Sequence, residues 1–179
     1  MSAEPELEDD LGDRLGTPRG MKRVLTVRTR QDTTRYAQFL AAQLVPGDVV
    51  LLEGPLGSGK TAIVQDIAAA IGESAIPNSP TFILANLYDG GRLRLIHCDL
   101  YRLADLKEFM DLGVVDYMED SVTIVEWGSM LRARFPDHLH IEIVPLVEEE
   151  ARELRLSSAS DRWIKVLEAM EFGTLAVMS

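Results

Sequence analysis

The chain has 179 residues, a single cysteine and a formal net charge of -11. That length suits one domain with a real core, and a 46% apolar share excludes wholesale disorder. No apolar run approaches the roughly 18 residues of a membrane span, and no run of lysine or arginine exists to neutralise nucleic-acid phosphates unaided.

Residues 1–21 are acidic, hold Gly and Pro and lack a sustained apolar period, which predicts a disordered tail ahead of one domain over 22–179. The opening Met-Ser-Ala-Glu-Pro-Glu-Leu-Glu-Asp-Asp lacks the positive start and apolar middle of a signal peptide. With one cysteine and so no internal disulfide, a cytoplasmic protein is expected. Val24-Leu25-Thr26-Val27 is β-prone. Tyr36, Phe39, Leu40 and Leu44 recur at helical spacing and predict a helix from about Gln31 to Leu44, capped by Asp32 or Thr33. Pro46-Gly47-Asp48 is a turn. Val49-Val50-Leu51-Leu52 is apolar on both faces, as in a fully buried strand. A glycine-rich loop leads into a helix from Lys60 to about Ile71, with Gly72 placed to end it. Phe82–Tyr88 and Leu93–Cys98 predict a hairpin around Asp89-Gly90-Gly91. After a helical or irregular stretch over 104–118, Val122-Thr123-Ile124-Val125 is a second buried strand that ends at Glu126-Trp127. A short helix is predicted over Ser129–Phe135, alternating strands over Leu139–Ile143 and Glu153–Ser157, and a last helix from Ser160 or Asp161 to about Phe172. The mixture predicts an α/β fold: a mostly parallel sheet with antiparallel additions and helices on both faces.

Gly54-Pro55-Leu56-Gly57-Ser58-Gly59-Lys60-Thr61 fits the phosphate-loop pattern G-x-x-x-x-G-K-[ST] at every fixed position. Four fixed positions coincide by chance in roughly one such chain in a hundred, and a buried strand before it with an apolar-periodic helix after it is the right setting. Glycines let successive N–H groups turn toward phosphate oxygens, and the helix N-terminus adds partial positive charge there. Lys60 is placed to reach the β and γ phosphates and the Thr61 hydroxyl to ligate Mg2+. The fold class is therefore P-loop NTPase-like, with ATP and Mg2+ as expected ligands.

Such a loop works with an acid at the end of a neighbouring strand. Asp99 follows Leu93–Cys98, and Glu126 follows Val122–Val125. One is expected to order the metal and the other the metal or the attacking water. Ser79-Pro80-Thr81-Phe82 lies where switch loops bring a threonine to Mg2+ and the γ-phosphate, although on pattern alone it reads as a Ser-Pro turn. There is no Asn-Lys-x-Asp guanine reader and no arginine-rich lid of a nucleotide kinase. His97 alone reads as a core hydrogen-bonding residue, His138 and His140 as a pair too sparse for zinc, Cys98 as a buried small apolar residue, and Trp127 and Trp163 as packing.

Taken in order, the Gly54–Thr61 loop, Ser79-Pro80-Thr81-Phe82, His97-Cys98-Asp99-Leu100-Tyr101-Arg102, Leu112-Gly113 with Asp116-Tyr117, and Glu126-Trp127 resemble the TsaE family, the ATPase of bacterial tRNA threonylcarbamoyladenosine biosynthesis. The resemblance covers roughly residues 30–145. It implies slow, partner-dependent ATP hydrolysis that resets a threonylcarbamoyl-transferase complex. The implied partners are the transferase catalytic subunit and its inactive paralogue, which modify adenosine 37 of tRNAs reading codons that begin with A, so this chain meets tRNA only through them. Carried over by position, Lys60 and Thr61 serve phosphate and Mg2+, Thr81 is the switch threonine, Asp99 the Walker B-like acid, and Glu126 the second acid with Trp127 beside it. Tyr101 and Arg102 are implied to be more than surface. Pro55 departs from the family, which commonly has an acidic residue there, and proline removes an N–H from the loop start. Two other readings of the residues stand beside this one: a P-loop kinase acting on a small hydroxyl compound with Glu126 as base, and a non-catalytic nucleotide switch.

Overall fold

The apolar run Val49–Leu52 offers no polar face to water. In the computed structural model, which describes residues 20–77, 84–147 and 150–170, it becomes the centre of the sheet. In chain order the elements are β1 (Met21–Val27), α1 (Arg30–Gln43), β2 (Val49–Glu53), α2 (Lys60–Ala70), β3 (Ala85–Tyr88), β4 (Leu95–Asp99), α3 (Leu106–Asp111), a 3-10 turn at Val114–Tyr117, β5 (Val122–Glu126), a second 3-10 turn at Gly128–Leu131, β6 (Leu139–Pro145), β7 (Arg152–Ser158) and α4 (Asp161–Ala169). The strands lie side by side in the order β1-β7-β6-β2-β5-β4-β3. The four inner strands β6, β2, β5 and β4 run parallel. The hairpin β3–β4 closes one side antiparallel, and β7 with β1 extends the other. This is the expected P-loop NTPase-like α/β fold.

Alternation along the strands sorts two cores. Val50 and Leu52 of β2 and Val122 and Ile124 of β5 pack under α1, α2 and α4, together with Tyr36, Leu40, Ile63, Ile67 and Trp163. Val49 and Leu51 face the other way, onto Phe109 of α3, Met118 and Leu131. Helices thus cover both faces, although the second face has only α3 and the 3-10 turns. Each fully buried Leu or Ile here contributes roughly 1.5–3 kcal/mol. Trp163 and Cys98 are buried as predicted. Among the described residues no helix is long and apolar enough to cross a membrane.

Several ends differ from expectation for local reasons. Met21 opens β1, so the predicted tail over 1–21 gives up its last residue to the sheet; residues 1–19 lie outside the described residues. Thr29 caps α1, with Asp32 reaching back to the cap N–H: the predicted cap residue is the other half of a capping box. Gly72, at φ +89, ends α2 as predicted, and the Glu73 and Gly72 amides bond back to the Ala68 and Ala69 carbonyls. The helix expected over Ser129–Phe135 is a 3-10 turn, Gly128–Leu131, continued by turns that bond Arg134 and Phe135 to the Leu131 carbonyl. Phe82 and Phe172, proposed ends of two elements, lie outside the described residues.

The two histidines of the pair hydrogen-bond within the protein. His138 donates through Nδ1 to the Phe135 carbonyl at 2.6 Å, and Arg132 hydrogen-bonds Nε2 of His140. A guanidinium only donates. Nε2 of His140 is therefore the acceptor, and the proton of the neutral ring sits on Nδ1, 3.4 Å from Ser157 Oγ. Burial above all, then the charge of Arg132, holds the His140 pKa down at about 4, against the ordinary 6.5. The unfolded chain takes up this proton first. The stabilisation is therefore complete above pH 6.5 and is lost as pH falls toward about 4. Up to about 3 kcal/mol should disappear across that window. Urea unfolding near pH 7.5 and about pH 4.5 should show a flatter dependence in His140→Gln; equal slopes would exclude this histidine as the cause.

Candidate functional site

Where β2 ends, the chain must turn sharply, and three glycines with positive φ let it: Gly54 at +142, Gly57 at +77 and Gly59 at +105. Gly59 occupies the N-cap of α2, so Lys60 and Thr61 are the first residues of that helix and stand at its positive end. The loop is tied inward from two sides. The Ser58 amide bonds the Pro55 carbonyl at 3.1 Å, and Arg152 of β7 reaches across to donate to the Ser58 carbonyl at 3.2 Å. Ser58 Oγ is buried and has no partner among the described residues. Lys60 is buried and folds back over its own loop, with Nζ donating to the carbonyls of Gly54 at 2.7 Å and Pro55 at 3.1 Å. Its ammonium also lies 4.0 Å from the centre of the Trp127 ring. Burial pushes the Lys60 pKa down, and the charges of Glu126, Asp99 and Glu53 oppose that shift.

Parallel register brings the two predicted acids together. Asp99 of β4 is paired with Glu126 of β5, and Glu126 with Leu52 of β2. Both carboxylates therefore emerge at the carboxyl edge of the sheet, beside the loop. Glu126 is buried, and its Oε1 accepts from Thr61 Oγ1 at 2.8 Å and lies 2.9 Å from His97 Nε2. Asp99 accepts from the Tyr101 amide at 3.0 Å. Directly after Glu126 the chain bends, with Trp127 in the left-handed region at φ +59, the one non-glycine residue with positive φ among the described residues. The Trp127 amide bonds the Leu52 carbonyl at 2.9 Å, and Glu53 holds the Ser129 amide at 2.6 Å. The bend aims the indole over Lys60 and against Tyr101, ring centres 5.2 Å apart.

These parts enclose a cleft of about 350 Å³ lined by Leu56, Gly57, Gly59, Lys60, Thr61, Asp99, Tyr101, Arg102, Glu126 and Trp127 among others. Of the predicted site residues, it gathers Leu56, Gly57, Gly59, Lys60, Thr61, Asp99 and Glu126; Ser58 lines a second cavity, Gly54 and Pro55 line neither, and Thr81 lies outside the described residues. Pro55 contributes its carbonyl, which does not need the missing N–H. His97 was read as a core hydrogen bonder, and it is one, but its partner is the site acid. Arg152 was not singled out, and nothing local could have marked it, because it reaches the loop only through the β6–β7 pairing. No cluster of three or more His, Cys, Asp or Glu that could cage a metal occurs among the described residues. Two carboxylates, a hydroxyl and room for phosphate oxygens are the hard, incomplete oxygen set that suits Mg2+ shared with a nucleotide.

A model of the family described as threonylcarbamoyl adenosine biosynthesis protein TsaE matches residues 27–154. The chain is 33% identical over 141 residues to the tRNA threonylcarbamoyladenosine biosynthesis protein TsaE of Bacillus subtilis (strain 168), across 78% of this chain and 88% of that one. It is 36% identical over 132 residues to the protein of the same name from Mycobacterium tuberculosis (strain H37Rv), across 68% and 79%. A crystal structure of Bacillus subtilis YdiB superposes with a TM-score of 0.69 at 27% identity, covering 84% of this chain and 94% of that one. The matched span runs from the end of β1 into β7 and so takes in the glycine loop, both acids and the strands that carry them: the chain belongs to the TsaE family.

Proposed function

We propose that this protein is a Mg-dependent ATPase, slow alone and stimulated by partners. In this reading it serves the cytoplasmic machinery that forms threonylcarbamoyladenosine at position 37 of tRNAs, and the predicted domain over 22–179, extended by Met21 of β1, acts as one P-loop ATPase domain. One observation carries the nucleotide reading: the lysine, threonine and two glycines of the phosphate loop and two strand-end carboxylates converge on one cleft, with the loop threonine already bonded to one of the acids. The triphosphate would lie along Gly54 to Thr61, at the positive end of α2. Lys60 would leave the Gly54 and Pro55 carbonyls for the β and γ phosphates. A second cavity of about 200 Å³ on the other side of the loop, lined by Arg30, Thr33, Ser58, Ile63, Glu150 and Arg152 among others, has room and polarity for the nucleoside.

Bound Mg2+ would offset charge on the phosphate oxygens. Thr61, Glu126 and Asp99 would hold it directly or through water, with Thr81 completing the set, and Glu126 or Asp99 would orient the attacking water. Turnover would reset the transferase complex, made of a catalytic subunit and its inactive paralogue. The family's role in threonylcarbamoyladenosine synthesis and the negative charge of this chain support contact with tRNA only through those partners.

The test is phosphate release from Mg–ATP with and without the reconstituted transferase subunits. Stimulation of about tenfold or more is expected. Turnover indifferent to the partners would overturn the accessory role, and a phosphorylated small molecule in place of free phosphate would make the protein a kinase.

A further inference from the structure

His97 stands fully buried on β4, two residues before Asp99 and on the same face of the sheet. Its Nε2 lies 2.9 Å from Glu126 Oε1, and its Nδ1 is buried with no partner among the described residues. Oε1 already accepts from Thr61 Oγ1, so the contact with the ring needs a proton on Nε2. Nδ1 is then unpaired in a dry core whether or not it carries a proton, an arrangement that disfavours histidine at this position if packing were all it did. An apolar side chain of similar size would fill the same space with no unpaired atom.

The effect falls on Glu126. Thr61 Oγ1 and His97 Nε2 approach the same oxygen, Oε1, at 2.8 and 2.9 Å. Two donors on one oxygen fix the rotation of the carboxylate about its last bond, and Oε2 has no donor among the described residues in a side chain that lines the cleft. Should Thr61 turn its hydroxyl toward a metal, His97 still holds Oε1, because a strand residue between β3 and β5 has nowhere to move.

We infer that His97 is a positioning residue: through Nε2–H it holds Glu126 with Oε2 presented to the metal and water side of the cleft. This deepens the proposed Mg–ATP reading and rests on it. Groups that orient a metal-binding carboxylate typically change metal affinity or activity by about 10- to 100-fold when removed.

The experiment has two arms. In the first, nucleotide titration with and without Mg2+ compares wild type, His97→Leu and His97→Gln, whose side-chain amide can supply a donor near the Nε2 position. His97→Leu should lose most of the metal-dependent gain in affinity, on the order of 10-fold or more. Its metal-free affinity should move by less than about twofold, and His97→Gln should recover part of the loss. Phosphate release should follow the same ranking. Wild-type metal dependence in a folded His97→Leu, or equal loss in the Leu and Gln variants, would refute the positioning role. The second arm needs no variant and survives one that fails to fold: the ring nitrogen NMR spectrum of the wild type should show a proton on Nε2, and a ring protonated at Nδ1 alone would refute the inference. A wild type that binds nucleotide with Mg2+ but never hydrolyses it sinks the ATPase reading alone, since metal-dependent binding and the ring tautomer still decide the role of His97.

Discussion

Replacing Glu126 with glutamine should lower partner-stimulated phosphate release by about 100- to 1,000-fold, with ATP binding held within a few-fold. Glutamine keeps the volume and one acceptor, so Thr61 and His97 retain a hydrogen-bonding oxygen where Oε1 now sits. The change removes the charge and turns Oε2 into an NH2 donor on the side where a metal or its water needs an acceptor. Alanine is the less informative substitution. It would leave the buried His97 ring without an acceptor, at a cost of about 1–3 kcal/mol, so lost activity would mix with lost stability. Phosphate release measured beside an equilibrium nucleotide titration separates the two. Undiminished turnover in Glu126→Gln would remove Glu126 from the chemistry and move the weight of the proposed mechanism onto Asp99.

The second large effect comes from an atom the protein lacks. A Cβ at Gly54 would lie 2.6 Å from the Ile143 carbonyl oxygen and 2.8 Å from Ser58 Oγ. The backbone there, at φ +142, is one that side chains rarely adopt. Ile143 belongs to β6, hydrogen-bonded to β2, so the obstructing oxygen is part of the sheet and cannot retreat. Gly54→Ala should therefore destabilise the fold by about 2–4 kcal/mol and weaken nucleotide binding by on the order of tenfold or more, because the loop must lift off β6. Gly57→Ala is the control: its Cβ would meet nothing within 4 Å, and only the left-handed φ of +77 penalises it, by about 1–2 kcal/mol. Urea unfolding and nucleotide titration of both variants test the difference. Equal stabilities would mean that the contact with β6 does not constrain the loop.

Much of this was legible from local pattern. Val49–Leu52 and Val122–Val125 declare buried strands because water is absent from both their faces, and the phosphate loop declares itself because the chemistry demands glycine at fixed intervals. Asp99 and Glu126 could be nominated as strand ends. The bond from Thr61 to Glu126 could not, because it depends on β5 lying between β2 and β4, a neighbour relation that no window of sequence contains. The same limit explains His97 and Arg152, whose partners lie 29 and 94 residues away. Boundaries failed where a cap works as a pair: Asp32 looked like a cap because it is the reciprocal half of one. The bend at Trp127 went unread because a tryptophan with positive φ has no local signature.

Cys98 lies on the less covered face of the sheet, fully enclosed beside Ile96, Leu100 and Phe109, and burial pushes its thiol up to about 12. At neutral pH it is therefore neither ionised nor reachable, although it is the one sulfhydryl in 179 residues. An alkylating reagent can meet it only after the sheet has parted from α3. The rate of modification then counts openings of that layer, and a cysteine newly placed on the surface would take a fluorophore alone, with no need to delete the native one first.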